Sequence, residues 1–106
     1  MSEKEYVVYL SPEREDRFRY YHVLEHGIIL RFCVQYEALV GGEWKAIVRY
    51  DTAHRRPHKD LLRSDGTQER QEYRGYSPAE VLALGERDIK ANWHQYRIVY
   101  AKEMTG

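Results

Sequence analysis

Apolar and polar residues alternate along the first half of the chain with the period of a β-strand. Residues 5–10 form a short run of β-branched and aromatic side chains, and the alternation is strict over residues 17–24. Residues 28–40 and 44–51 continue it, and each of these segments has one almost wholly apolar face. This pattern predicts antiparallel strands that bury one face of a sheet and leave the other face in water.

The register of the hairpins follows if residues of like character oppose each other on neighbouring strands. This condition predicts three-residue turns at residues 25–27 and 41–43. The opposed pairs that it predicts include Tyr20 with Phe32, Val40 with Trp44, and Tyr36 with Val48. A slip of one residue would move a whole apolar set into water, so the register is strongly specified.

The second half of the chain predicts one more hairpin and a long helix. Asp65-Gly66 is typical of a tight turn, and residues 67–73 form its return strand. Ser77-Pro78-Ala79-Glu80 is a helix start with a capping box, and apolar residues then recur at helical spacing to about Glu103. We therefore expect one α+β domain over residues 1–106: an antiparallel β-sheet of four to six strands with one long C-terminal helix packed on one face.

The composition indicates where the protein is found and which binding modes are open to it. The formal net charge is +0, so attraction to nucleic acid would need a local basic patch. Cys33 is the only cysteine, which excludes an intramolecular disulfide. The N-terminus has no apolar signal core, and no run approaches the roughly 20 apolar residues of a membrane span. We expect a cytoplasmic protein that does not enter a membrane.

Such a patch is predicted on the sheet face that the helix leaves open. The inferred register places five basic residues there, with Tyr21 among them: Arg17, Arg19, Arg31, Lys45 and Arg49. The loop after Asp51 adds Arg55, Arg56 and Lys59 at its edge. One interpretation is a surface that binds the phosphate backbone of RNA while Tyr21 stacks a base. The other is a solvated face whose cations pair with Glu37 and Asp51.

The loop that follows the fourth strand concentrates candidate catalytic groups. His54 and His58 are side chains of the type that titrates near neutral pH, so they predict a general base and a general acid. Asp51 or Asp60 would orient an imidazole, and the nearby cations would hold phosphoryl charge. This hypothesis is a ribonuclease that needs neither metal nor cofactor. A simple polar surface loop explains the same residues.

Two further hypotheses use the same region. Asp51, His54, His58 and Asp60 offer the mixed nitrogen and oxygen ligands that zinc or manganese accepts, although their spacing matches no closed structural site. Cys33 is predicted on the open face, where arginines would lower the pKa of its thiol. The simpler interpretation of Cys33 is a small, half-buried strand residue.

The middle of the chain resembles a group of short uncharacterised prokaryotic proteins. The resemblance lies in the run Ile47-Val48-Arg49-Tyr50-Asp51-Thr52-Ala53-His54 and in the later runs Pro57-His58-Lys59-Asp60 and Asp65-Gly66-Thr67. More distantly, Arg49-Tyr50-Asp51 followed by His54 and His58 is similar to the TumE-like toxins of toxin–antitoxin loci. Those toxins tend to carry closely spaced histidines where this chain has Lys59 and Asp60. The resemblance implies a small RNA-directed protein.

The sequence therefore leads to three hypotheses about function, given in order of preference. The first is an RNA-directed, toxin-like protein that cleaves RNA without a metal. The second is a non-catalytic module that binds nucleic acid or protein, and the third is a small metal-dependent enzyme. The expected partners are RNA and an antitoxin or other protein, and an exposed strand at the sheet edge would also permit a homodimer.

Overall fold

The computed structural model describes residues 1–53 and 56–105, which form one antiparallel sheet and one long helix. The elements are β1 (Ser2–Tyr9), β2 (Asp16–Glu25), β3 (Ile28–Val40), β4 (Glu43–Asp51), β5 (His58–Leu62), β6 (Gln68–Glu72) and α1 (Pro78–Thr105). The strand order is β1-β2-β3-β4-β5-β6, so each strand pairs with the next one along the chain. The predicted α+β class, the number of strands and the C-terminal helix are confirmed.

The two long hairpins turn more tightly than the alternation predicts. Glu25 pairs with Ile28 and Val40 pairs with Glu43, so each turn contains two residues instead of three. Gly41 and Gly42 both have positive φ, of 59° and 82°, as a type I′ turn requires. The predicted three-residue turns were therefore wrong.

A β-bulge in each hairpin compensates for the shorter turn. The register of β3 and β4 shifts between Tyr36 and Glu37, after which Tyr36 pairs with Val48 as predicted. Between β2 and β3 the register shifts at Val23 and Leu24. Beyond this bulge the pairing differs from the predicted one, because Tyr20 pairs with Val34 and not with Phe32. Both shifts bring residues of like character back into opposition, which places the apolar sets on one face.

The bulge in β4 exchanges the faces of the residues near its turn. Trp44 pairs with Leu39, and Lys45 pairs with Ala38, so Trp44 lies on the open face and Lys45 on the helix side. The guanidinium of Arg17 lies 3.9 Å from the centre of the Trp44 ring, which agrees with this placement. The prediction that Lys45 belongs to the open face was wrong, because alternation cannot reveal an extra residue in a strand.

Helix α1 begins as the sequence predicts and covers the apolar face. The Ser77 backbone N–H donates to Glu80 Oε1 at 2.9 Å, and the Glu80 N–H donates to Ser77 Oγ at 3.2 Å. The helix packs mainly on β3 and β4. Its buried residues join those of the sheet in one core: Val81, Leu82, Ile89 and Tyr100 from α1, with Phe18, Val34, Tyr36, Val48 and Tyr50 from the strands.

Polar side chains also fasten α1 to the sheet. Asp88 Oδ2 accepts hydrogen bonds of 2.6 Å from the hydroxyls of Tyr50 and Tyr96. Nearer the C-terminus, Asp16 Oδ1 accepts from the Tyr36 hydroxyl at 2.5 Å and from Arg97 at 2.6 Å. Tyr36 and Tyr50 thus bury their rings in the core while their hydroxyls donate to carboxylates.

The sheet ends at β1 and β6, whose outer edges pair with no other strand in residues 1–53 and 56–105. Val7, Val8 and Tyr9 of β1 are 43–48% exposed. The helix found in the described residues is too polar to cross a lipid bilayer.

Candidate functional site

The strand register places arginines from four strands on the sheet face opposite α1, called here the open face. Arg19 pairs with Gln35, Gln35 with Arg49, Arg49 with Asp60, and Asp60 with Arg70. This row crosses β2 to β6. Arg17 and Arg31 lie on the same face because they alternate in phase with Arg19 and Gln35 along β2 and β3. Of the predicted basic residues on the strands, Arg17, Arg19, Arg31 and Arg49 therefore share the open face.

Carboxylates are interleaved with these arginines. Glu37, which is 7% exposed, lies 2.5 Å from Arg17 Nε and 3.9 Å from Arg19 Nε. Arg49 Nε donates instead to the neutral amide oxygen of Gln35 at 2.6 Å. Among residues 1–53 and 56–105, neither Arg31 nor Arg49 forms an ion pair. The face is mixed in charge, and Arg19, Arg31 and Arg49 are its least neutralised cations.

The predicted basic residues near the loop separate. Lys59 pairs with Tyr50 and therefore points to the helix side, where its Nζ donates to the Tyr96 hydroxyl at 2.7 Å. Its placement on the RNA-binding surface was wrong. Arg56 is exposed and lies 3.6 Å from Glu72. Arg55 and His54 lie outside the described residues.

Three of the four predicted catalytic residues meet where β4 and β5 pair. Asp51 opposes His58, and Asp60 lies two residues further along β5 on the same face. His58 Nε2 is 2.7 Å from Asp51 Oδ1 and 3.4 Å from Asp60 Oδ2. His58 and Asp60 are each 2% exposed, whereas 15% of the Asp51 side chain remains accessible. This Asp-His-Asp cluster consists of Asp51, His58 and Asp60.

Arg70 supports the cluster and was not predicted as a site residue. Its Nε and Nη2 donate to the two oxygens of Asp60 at 2.8 and 3.2 Å. Burial alone would raise the pKa of Asp60, but the hydrogen bond and the positive charge of Arg70 help to lower it overall. Arg70 lies on an exposed strand without a clear apolar pattern, so only the pairing of β5 with β6 reveals it.

The burial of His58 limits what it can do as an acid or base. A group that exchanges a proton with a substrate must come within hydrogen-bond reach of it, and His58 is only 2% exposed. Its Nδ1 faces the backbone carbonyl of Arg56 at 3.0 Å, and a carbonyl can only accept. The described residues therefore place His58 as an internal ligand or structural group.

Cys33 lies on the open face as predicted, opposite Tyr21 and Asp51. Burial and the charge of Asp51 raise the pKa of its thiol to about 11, and they outweigh the opposing effect of Arg49 and Arg19. The expected lowering of this pKa was wrong. Cys33 is a protonated, half-buried strand residue.

Two shallow cavities open on this face and share Tyr21 as a wall. One, of about 330 Å³, is lined by Arg19, Tyr21 and Glu37 among others. The second, of about 270 Å³, lies between Tyr21, Arg31 and Asp51. An aromatic ring therefore stands between two arginines and beside the Asp-His-Asp cluster.

A comparison with protein families places the whole chain in one of them. The family model described as "Domain of unknown function (DUF7718)" matches residues 1–106. The chain belongs to this family. For this DUF7718 protein, the comparison with curated proteins gave no match, and neither did the comparison with solved structures. The DUF7718 description names no activity, so the function must be argued from the open face itself.

Proposed function

We propose that this DUF7718 protein binds single-stranded RNA across its open face. The observation that carries the proposal is that Arg19, Arg31 and Arg49 share a sheet face that α1 leaves uncovered. None of the three has a carboxylate oxygen within 3.5 Å among the described residues, since the contact of Arg19 with Glu37 is 3.9 Å. Their charge is thus available to phosphates.

The spacing of the three arginines suits an extended strand. Arg19 and Arg49 are two strands apart, a distance of about 10 Å, and Arg31 lies four residues from Gln35 along β3, about 13 Å away. Tyr21 lies between them and lines both cavities. Aromatic stacking adds about 1–3 kcal/mol per base without requiring a particular sequence.

The similarity to TumE-like toxins supports RNA as the target. It also implies cleavage, for which the predicted acid and base were His54 and His58. Because His58 is 2% exposed, the geometry favours binding over direct proton transfer by this residue. We therefore propose RNA binding as the function, with the Asp-His-Asp cluster as a buried anchor of the face.

The test is the anisotropy of a fluorescein-labelled single-stranded RNA of mixed sequence, titrated with protein at 50–200 mM salt. Three phosphate contacts predict that the association constant falls about 20-fold over this range. Each of Arg19→Gln, Arg31→Gln and Arg49→Gln should weaken binding and reduce the salt slope by about one. Electrophoresis of the same RNA after incubation in EDTA reports cleavage.

Arg87→Gln is the matched control, since Arg87 is an exposed arginine on α1, away from the open face. It should leave the affinity and the salt slope unchanged. Equal weakening by Arg87→Gln, or no binding by the wild type at 50 mM salt, would overturn the proposal. A double-stranded RNA of the same length distinguishes stacking on Tyr21, since paired bases cannot stack on it.

The protein partners remain predictions. An antitoxin, another protein or a second copy of this chain would find an unpaired strand edge at β1, where Val7, Val8 and Tyr9 are exposed.

A further inference from the structure

The Asp-His-Asp cluster has the spacing of a metal site. The nearest side-chain oxygens of Asp51 and Asp60 and the Nε2 of His58 all lie within 4.8 Å of one another. Nε2 is 2.7 Å from one carboxylate and 3.4 Å from the other. Ligand atoms that each stand about 2.1 Å from one ion lie about 3.0–3.4 Å apart, so only small side-chain rotations separate this arrangement from coordination.

The Nε2 atom of His58 has no hydrogen-bond partner among residues 1–53 and 56–105. The short contact with Asp51 does not have hydrogen-bond geometry, and the residue is 2% exposed, so water does not replace a partner readily. Because Nδ1 must donate to the carbonyl of Arg56, a neutral imidazole directs its lone pair at Nε2 toward the two carboxylates. Three electron-pair donors that converge in a buried place call for a cation.

The groups around the cluster fix each ligand as they do in known metal sites. A metal-binding histidine usually donates its second ring N–H to a backbone carbonyl or a carboxylate, as His58 does to Arg56. Arg70 holds both oxygens of Asp60, and the Ala53 backbone N–H donates to Asp51 Oδ1 at 3.1 Å. All three side chains are thus oriented by hydrogen bonds from outside the cluster.

We propose that Asp51, His58 and Asp60 bind one divalent transition-metal ion, zinc or manganese, on the open face where the end of β4 pairs with the start of β5. One imidazole nitrogen and two carboxylates suit these ions better than calcium or magnesium, which prefer oxygen alone. Three protein ligands leave coordination positions for water or a phosphate oxygen. The ion reaches the cluster through the cavity of about 270 Å³ that Asp51 lines.

Such an ion would change the charge of the open face. Its two positive charges offset the carboxylates of Asp51 and Asp60, which leaves Arg70 and Arg49, the two arginines beside Asp60, as the main charges next to it. The metal site does not depend on RNA binding. It stands on the ligand geometry, and its test contains no RNA.

The experiment is isothermal titration of the full chain, first stripped with EDTA, with zinc chloride and with manganese chloride. We expect one equivalent per chain. Asp51→Asn and His58→Gln should each weaken binding by at least about 10-fold, as the loss of even a supporting residue does in metal sites. His94→Gln, on an exposed part of α1, and Glu72→Gln, the strand neighbour of His58, are the matched controls and should leave binding unchanged.

Nitrogen-15 NMR of the wild type keeps the proposal testable if a variant fails to fold. Addition of one equivalent of metal should shift the Nε2 resonance of His58. Three outcomes would overturn the proposal. They are the absence of stoichiometric binding, binding that survives both ligand substitutions in folded protein, and an Nε2 resonance of His58 that does not move when one equivalent of metal is added.

Discussion

A Cβ atom added to Gly85 would lie 2.7 Å from Cγ of Tyr50. Gly85 is buried inside α1, and Tyr50, on β4, is 1% exposed. The helix backbone therefore rests directly on the Tyr50 ring. This contact sets the approach of helix and sheet behind the Asp-His-Asp cluster, because Tyr50 immediately precedes Asp51 in the same strand.

Replacement of Gly85 by alanine should destabilise the protein, although alanine is the better helix former. Helix propensity alone would stabilise the variant by about 1 kcal/mol. Overpacking against the ring costs about 1–3 kcal/mol, and Tyr50 cannot swing away because Asp88 holds its hydroxyl. We expect a net loss of up to about 2 kcal/mol in urea unfolding.

Ala91→Gly, at an exposed position of α1, gives the propensity difference without any contact and should cost about 1 kcal/mol. A Gly85→Ala variant that is more stable than the wild type would show that helix and sheet can separate at this point.

Asp88 should make the stability of the protein sensitive to acid. Burial would raise the pKa of Asp88, but hydrogen bonds from Tyr50, Tyr96 and Asn92 lower it overall. A carboxyl with a lowered folded pKa stabilises the fold above its unfolded pKa, near 3.9, and this contribution is lost as the pH falls through the folded pKa. Unfolding free energies from urea at pH 6 and pH 3 should therefore differ less in Asp88→Asn than in the wild type.

Glu13→Gln, in the exposed loop between β1 and β2, is the control for this measurement and should follow the wild type. If the loss of stability between pH 6 and pH 3 is the same in Asp88→Asn and the wild type, the Asp88 network does not contribute to acid sensitivity.

Removal of Asp16 should cost far more than removal of its neighbour Glu15. Asp16 is 3% exposed and accepts from both Tyr36 and Arg97, so Asp16→Ala leaves the hydroxyl of the buried Tyr36 without its acceptor. We expect a loss of about 2–3 kcal/mol. The Glu15 side chain is 52% exposed and its carboxylate lies 3.6 Å from Arg97. Glu15→Ala should therefore lower the free energy of unfolding by less than about 1 kcal/mol. Equal losses in thermal or urea unfolding would contradict this account.

Cys33 should react slowly with thiol reagents. With a pKa raised to about 11, its thiolate fraction at pH 8 is smaller by about 100-fold than that of an ordinary cysteine. Alkylation by iodoacetamide, measured by mass spectrometry, should be slow in the folded chain and fast in urea. In the folded chain its rate should rise about tenfold with each pH unit until the pH reaches about 11. Equal rates in the folded and unfolded chains would refute the assigned pKa.

The sequence was sufficient for the element types, because alternation over β2 to β4 and the Ser77–Glu80 box are local signals. It was not sufficient for the register near the turns. Two-residue and three-residue loops both fit the glycines, and a bulge at Ile47 leaves no trace in composition. That one extra residue moved Lys45 from the open face to the helix side.

The sequence also predicted only part of the candidate site. The motif placed Asp51, His58 and Asp60 in one region, and the pairing of β4 with β5 brings them together. Burial of His58 and the support from Arg70 depend on β6, whose residues are all exposed and carry no apolar alternation. The side of the sheet on which Lys59 lies also depends on the register of β5, which no local pattern fixes.

The order of elements along the chain has a consequence for synthesis. All six strands leave the ribosome before α1, the element that covers Phe18, Val34 and Val48. During that interval the newly made sheet exposes its apolar face together with the unpaired edges of β1 and β6. Exposed apolar surface and unpaired strand edges promote association between chains. Chaperone demand for this protein should therefore peak just before translation of α1 is complete.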